Sequence, residues 1–351
     1  MNILLLSAYN THSHNYWCNT LINKLPQYSW TFLTLPPRKF SWRIRGNALS
    51  WMGIESEKLL KKYDTILATS MVDLASLIGL FPNLGDANKV LYFHENQFEY
   101  PLSQNKNNSN VESMMVNLYG ALAADKVVFN SQYNSDTFLR GAKKLLKSIN
   151  DYSPTSLVDK IERKSSIIPV PISNKAKFGK KIKNSIIWNH RWEYDKNPED
   201  FYKALKILKQ KEVDFRLIMM GIEFKNSPDV FKKIKTEFSN SILCWGQQSK
   251  EEYLNWLKKG EVIISTAIHE FQGLAVMEGV QHGAIPVVPN RLSYPSWFDK
   301  EYLYENSAGE LAKGIIKQFT EKSDLPNLDS LTWRILEENY IELLQKSTTS
   351  L

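Results

Sequence analysis

The chain has 351 residues, of which 43% are hydrophobic and 23% charged, with a formal net charge of +7; that balance excludes a disordered or fibrous protein and provides for two packed domains of ordinary size. The two cysteines, Cys18 and Cys244, are far apart, so neither a disulfide framework nor a zinc site is expected. No apolar run reaches the length of a spanning helix, and the start MNILLLSAYN enters an apolar strand without a basic leader, so the reading is a cytoplasmic protein with no membrane contact.

In chain order, Asn2 to Ala8 reads as a buried strand and Tyr9 to Tyr16 as a polar loop carrying His12, Ser13 and His14, a loop that faces the ligand crevice in a nucleotide fold. It lacks the glycines of a GxGxxG turn. Residues 17–25 read as helix and Trp30 to Leu35 as the next strand. The stretch Pro36 to Trp51, PPRKFSWRIRGNALSW, interleaves Arg38, Lys39, Arg43 and Arg45 with Phe40, Trp42 and Trp51. Cations that pair with phosphates beside rings that stack on bases suit RNA. A surface helix whose aromatics pack inward fits the same residues, just as plain solubility accounts for the excess positive charge.

Asp64 to Thr69 and Val90 to Phe93 read as strands, the second running into His94, Glu95, Asn96 and Gln97, a polar cluster aimed at the same crevice. Ser103 to Glu112 is an asparagine-rich segment placed to cover an acceptor. A helix over Ser113 to Ala124 and a strand over Lys126 to Phe129 follow. That strand ends in Asn130 and Ser131 at the ligand edge, and a helix runs from Asn134 to Lys147. The strand Ser166 to Val170 closes a first domain at 1–173, followed by a lysine-rich linker at 174–184.

The second domain, 185–330, opens with the strand Ser185 to Trp188 and the loop Asn189 to Pro198, NHRWEYDKNP, in which Arg191 and Lys196 are five residues apart. Two cations there can bracket a pyrophosphate and neutralise it as it departs; a loop of mixed solvated charges is the plainer alternative. Phe215 to Met220 and Ile242 to Trp245 read as strands, with a helix over Pro228 to Phe238 between them. Ile263 to Pro289, IISTAIHEFQGLAVMEGVQHGAIPVVP, then reads as a strand, a sharp turn, a helix and a strand, with its turn at the carboxyl edge of the sheet. Glu270 sits in the turn and Glu278 about two helical turns along. The N–H groups near Gln272, Gly273 and Leu274 lack intrahelical partners and make a phosphate site that Gly273 lets a ligand approach closely. A nucleotide-diphosphate sugar would satisfy both glutamates, and a structural strand-turn-helix with solvated acids fits the spacing equally well. Residues 331–351 hold an amphipathic helix whose Trp333, Leu336, Tyr340, Leu343 and Leu344 are predicted to pack back on the first domain.

Arg191, Lys196, Glu270 and Glu278 together resemble the pattern of retaining glycosyltransferases of the GT-B architecture, an α/β fold of two facing Rossmann-like domains with a C-terminal cross-back helix. The chain resembles glycosyltransferase family 4 over its whole length. That resemblance implies a donor sugar nucleotide held mostly by the second domain, an acceptor held by the first, and no metal or other cofactor; the sequence contains no Asp-x-Asp. It also implies that Arg191 and Lys196 hold the donor phosphates, Glu270 contacts sugar hydroxyls, Glu278 contacts ribose and His94 lies beside the reacting sugar. The base is read largely by backbone groups, expected around Trp245 to Gln248.

The runs LPPRKFSWRIRGNALSW, LYFHENQFEYP, HRWEYDKNPEDF, ISTAIHEFQG and YPSWFDKEYLY are similar to the tRNA-queuosine alpha-mannosyltransferase family. What this resemblance implies is transfer of mannose from GDP-mannose, with retention, to the cyclopentenediol of queuosine at the wobble position of aspartate tRNA. It assigns Arg38, Lys39, Trp42, Arg43, Arg45, Glu95 and Asn96 to the RNA acceptor, and Ser13, His14, Asn130 and Ser131 to the donor side. The family's first loop carries adjacent glycines before Ser-His, where this chain has Thr11 and His12. The alternatives are a lipid or saccharide acceptor, or a non-catalytic tRNA-binding protein. Loss of Glu270 or of the Arg191–Lys196 pair would mark the non-catalytic case, and all three residues are present.

Overall fold

The computed structural model describes residues 1–99 and 111–346. Of the asparagine-rich segment Ser103 to Glu112, residues 103–110 lie outside the described residues, as do 347–351 at the other end. Internal contacts divide the chain into two compact units, Met1–Pro171 with the residues from Leu336 onward, and Ile172–Ile335.

The first unit contains β1 (Asn2–Ser7), α1 (His12–Lys24), β2 (Ser29–Thr34), α2 (Phe40–Ile54), α3 (Ser56–Leu59), β3 (Thr65–Thr69), α4 (Leu74–Leu80), β4 (Asn88–Phe93), α5 (Val111–Ala123), β5 (Lys126–Phe129), α6 (Gln132–Lys147), α7 (Ser156–Arg163) and β6 (Ser165–Ile167). Its strands form one parallel sheet in the order β2-β1-β3-β4-β5-β6. A parallel sheet is covered on both faces, so its strands read as continuous apolar runs. Ile3 to Leu6 and Val90 to Phe93 are accordingly all fully buried.

The loop expected over Tyr9 to Tyr16 is shorter than its polarity suggests, because α1 begins at His12 after an extended Thr11. His14, Trp17, Cys18 and Leu21 are the buried residues of α1 and fall on one stripe at helical spacing. A histidine heads this stripe, which is why a polar reading placed it in a loop.

The second unit contains β7 (Ser185–Trp188), α8 (Pro198–Gln210), β8 (Arg216–Met220), α9 (Val230–Glu237), β9 (Ile242–Gly246), α10 (Lys250–Lys259), β10 (Val262–Ile264), α11 (Leu274–Gln281), β11 (Ile285–Pro289), β12 (Leu303–Tyr304) and α12 (Ala308–Thr320). Its parallel sheet runs β12-β11-β10-β7-β8-β9, so the strand order reverses between β7 and β10. The crevice at such a reversal is where doubly wound sheets bind ligands. The loops that follow β7 and β10 carry Arg191, Lys196 and Glu270.

The last helix, α13 (Trp333–Leu344), leaves the second unit at Ile335, and its remaining residues belong to the first. There Leu336, Tyr340, Leu343 and Leu344 are buried, each contributing about 1.5–3 kcal/mol of apolar burial. The Tyr340 hydroxyl accepts from Trp17 Nε1 at 3.0 Å and donates to the Pro169 carbonyl at 2.9 Å. Carbonyls at the helix end, which have no intrahelical partners, are taken up by Thr65 Oγ1 (2.6 Å from Leu344 O) and Lys126 Nζ (2.7 Å from Gln345 O). Among the described residues, no helix is long and apolar enough to cross a membrane.

Candidate active site

In the second unit the site is built around a buried ammonium. Lys196 Nζ donates to the His269 carbonyl at 3.0 Å and lies 3.3 Å from both Glu270 Oε2 and Asp195 Oδ2. The loop is held in place from both sides, since Thr266 Oγ1 donates to the Lys196 carbonyl at 2.7 Å and Ile268 N to the Asp195 carbonyl at 2.9 Å. Burial works to lower the Lys196 pKa, but the charges of Glu270 and Asp195 outweigh it and raise it above its ordinary value. Burial likewise works to raise the Glu270 carboxyl, yet Lys196, His190 and the Gly273 N–H hold it down at about 2. Both groups are therefore charged at neutral pH. His190, which donates to the Ile264 carbonyl at 3.0 Å, is depressed to about 4 by burial and by the Lys196 charge, so it stays neutral beside them. Arg191 lies at the exposed rim, half-accessible, with Nη1 2.7 Å from Glu193 Oε2.

The helix mouth differs from expectation in two respects. Glu270 Oε1 itself accepts from the N–H groups of Phe271 (3.2 Å), Gln272 (3.4 Å) and Gly273 (3.0 Å). The predicted cradle at Gln272 and Gly273 is thus filled by the chain's own carboxylate, and the donors that the helix does not use belong to its first turn, from Leu274 and Ala275. Gly273 marks the start of α11 with φ 88, and a Cβ there would stand 2.8 Å from the ring of Tyr294, so both backbone and space require glycine. Because α11 begins only at Leu274, Glu278 sits about one turn along it, not two. Its Oε2 accepts from the Tyr253 hydroxyl at 2.8 Å, and that hydroxyl accepts from Asn189 Nδ2 at 3.0 Å. Asp195, His190, Asn189 and Tyr253 are additions that motif reading missed. Only the acid beside Lys196 in HRWEYDK offered a local signal.

The first unit has its own polar cluster at the carboxyl edge of β4 and β5. His14 Nδ1 is 2.8 Å from the Tyr9 carbonyl and Nε2 is 3.2 Å from Glu95 Oε2. Both partners are acceptors when Glu95 is ionised, an arrangement that favours the doubly protonated ring. Burial works to lower its pKa, and the Glu95 charge, the Glu95 hydrogen bond and the Tyr9 carbonyl raise it instead. The ring of His94 lies 4.3 Å from that of His14. Burial, and then the His14 charge, push His94 well below its ordinary value, and its buried Nε2 has no hydrogen-bond partner among the described residues. The two rings are thus shifted in opposite directions, and the one held toward the neutral form has the unused nitrogen.

Three residues expected to touch ligand have hydrogen-bond partners within the first unit. Asn96 Nδ2 donates to Asn134 Oδ1 (2.8 Å) and Thr137 Oγ1 (2.9 Å), while its Oδ1 accepts from the N–H groups of Phe98 and Glu99, so it builds the turn after β4. Asn130 Nδ2 donates to the His94 carbonyl at 2.9 Å, and Ser131 caps α6 by accepting from Asn134 N at 3.1 Å. Asn130 thereby ties the end of β5 to the His94 backbone. Ser13 stays exposed on α1, 3.1 Å from the Thr11 hydroxyl.

The basic aromatic stretch divides between two faces of α2. Trp51 is fully buried, whereas Trp42 is 51% exposed. Trp42 lies flat over Gly46, where an added Cβ would meet the indole at 2.6 Å, and its Nε1 donates to Ser50 Oγ at 3.2 Å. Arg43 donates to the Pro36 carbonyl at 3.3 Å, and Arg45 is committed to Asp73 at 2.5 Å. Arg38 and Lys39, just before α2, are exposed and make no ion pair among the described residues. Among the described residues, no group of three or more His, Cys, Asp or Glu is placed to hold a metal ion.

Residues 2–172 match the family model described as tRNA-queuosine alpha-mannosyltransferase N-terminal, and residues 172–329 match glycosyl transferases group 1. Among solved structures the chain is similar to a sucrose-phosphate synthase from Thermosynechococcus elongatus, at 12% identity, 98% of both chains and a TM-score of 0.73. It is also similar to a glycosyltransferase from Rickettsia africae, at 17% identity, 99% of both chains and a TM-score of 0.65. The two parallel six-stranded sheets, with cationic and acidic loops at the strand-order reversal of the second, define a glycosyltransferase of the GT-B class. A tRNA-queuosine alpha-mannosyltransferase of Drosophila melanogaster is 31% identical over 98% of this chain and 97% of its own length. The chain belongs to the tRNA-queuosine alpha-mannosyltransferase family.

Proposed function

We propose that this protein transfers mannose from GDP-mannose to queuosine in tRNA, with aspartate tRNA as acceptor, with retention at the anomeric carbon and without a metal. The observation that carries the reading is the buried Lys196 ammonium, 3.3 Å from Glu270 at the mouth of α11. A fixed positive charge there substitutes for a metal ion in stabilising a departing diphosphate. Arg191 and the first-turn amides of α11 share that charge, and Glu270 and Glu278 take sugar and ribose hydroxyls. The sugar develops oxocarbenium character, and the acceptor hydroxyl attacks from the face that the phosphate leaves. The leaving phosphate takes the acceptor proton, so no side-chain base is required. Trp42, Arg38 and Lys39 supply RNA contact, a ring for stacking beside cations for phosphates.

The test is a transfer assay with radiolabelled GDP-mannose and UDP-sugars on total tRNA from cells with and without queuosine, repeated in EDTA. Label from GDP-mannose that enters only queuosine-containing tRNA and survives EDTA is the expected result. Donor hydrolysis with no label in any tRNA overturns the acceptor assignment, and loss of transfer in EDTA overturns metal independence.

A further inference from the structure

We propose that the outer face of α6 is a second RNA-contact surface, one that takes the phosphate backbone of the acceptor away from the modified nucleotide; this rests on the tRNA reading above. The helix starts at the carboxyl edge of the first sheet, where Ser131 caps it, and runs away from that edge. Arg140, Lys144 and Lys147 follow at i, i+4 and i+7, which places three cations on one stripe about 10 Å long. They line an open cleft of about 550 Å³ to which Glu162 of α7 also contributes.

The cleft is lined by four cations and two acids, so cations outnumber acids there. Asp136 accepts from Gln132 Nε2 at 2.7 Å, and Lys143 pairs with Asp159 at 2.9 Å and Glu162 at 3.6 Å. Arg140, Lys144 and Lys147 are exposed and make no ion pair with any described residue. Lys144 and Lys147 lie in the last turn of α6, where cations offset the helix dipole. That accounts for two of the three, and neither for Arg140 in the helix interior nor for the concave site. By helical rise the three cations stand about 13 to 24 Å from Ser131 along the helix. An extended polyanion that places one nucleotide at the sheet edge and runs past α6 would lay several phosphates along this stripe, and an RNA stem is such a ligand.

The experiment compares the full-length protein with a triple variant, Arg140→Gln, Lys144→Gln and Lys147→Gln, and with Lys143→Gln as control. Binding of queuosine-containing tRNA is measured against salt concentration, and transfer is measured on that tRNA and on the free queuosine nucleoside. The triple variant is expected to flatten the log–log salt slope by about two units and to raise KM for tRNA tenfold or more with kcat unchanged. Activity on the nucleoside is expected to stay at the wild-type level and the control to retain the wild-type slope. An unchanged slope and KM overturn the proposal, as does equal loss on tRNA and nucleoside, a control that behaves like the triple variant, or loss of binding to phosphatidylserine vesicles with tRNA binding intact. Should wild-type protein bind tRNA without modifying it, the functional assignment fails, while the salt slopes still decide whether α6 contacts RNA.

Discussion

Lys196 and Glu270 meet at 3.3 Å across 74 residues of sequence, in a site where each is the other's main electrostatic support. The pair joins the loop after β7 to the turn after β10, and these are the loops that flank the strand-order reversal. Lys196→Ala is expected to lower kcat by about 100-fold or more, as loss of a fixed charge at a developing anion does. It is also expected to destabilise the fold by about 3 kcal/mol, because the buried Glu270 carboxylate is left without its cation. Adding Glu270→Gln should restore part of that stability and none of the turnover. Urea melts with single-turnover rates on the two singles and the double separate these effects, and full activity of Lys196→Ala would remove the diphosphate role.

Acid stability should carry the signature of Glu270. Its folded pKa of about 2 lies below its ordinary value of 4.5, so its stabilising contribution is complete above about pH 4.5 and is lost as pH falls toward 2. The stability difference between wild type and Glu270→Gln, followed by denaturant melts, should be flat from pH 5 to 7 and shrink below about 4.5. A difference that stays constant down to pH 3 would show that the carboxyl titrates normally.

The Glu95–His14 pair predicts a spectroscopic change. His14 titrates above its ordinary value because Glu95 offsets its burial. In Glu95→Gln burial dominates, and the His14 ring should titrate below 6.5 in an imidazole NMR titration. An unchanged His14 pKa would mean that the 3.2 Å contact carries no charge.

Trp42 and Gly46 yield a test that separates binding from folding. In Gly46→Ala the new methyl meets the indole and lifts it from the helix, so tRNA affinity should fall about 5- to 100-fold, matching Trp42→Ala, as loss of a stacking base does. Stability should hold or rise by up to about 1 kcal/mol, since alanine favours a helix interior. Fluorescence anisotropy with labelled tRNA, paired with thermal melts, reads both; wild-type affinity in Gly46→Ala would dismiss the ring as a stacking platform.

The parallel sheets were legible because covered strands have no polar alternation to disguise them. Lys126–Phe129 and Ser185–Trp188 each begin one residue before an apolar run and end with it. Lys196 and Glu270 were legible as candidates, since each lies in a loop at the carboxyl end of an apolar strand, but the sequence did not show that the two would meet. What escaped reading depends on partners distant in sequence. His14 belongs to a buried stripe whose polar member pairs with Glu95, 81 residues away. The Glu270 carboxylate folds back onto its own turn with one oxygen while the other faces Lys196, 74 residues away. The internal bonds of Asn96, Asn130 and Ser131 were not legible, because a polar side chain at a strand end looks the same in sequence whether or not it also braces its neighbour.

The hydroxyl of Tyr340 that closes the first unit bears on how the protein is made. Synthesis delivers β1 to β6 first, yet the partner for the Trp17 indole and the helix that covers Thr65 and Lys126 emerge only after the whole second unit. Domains emerging from the ribosome ordinarily fold in the order they appear. Here the half made first is completed last, and until α13 arrives Trp17, Thr65 and Lys126 are without the partners that the helix brings.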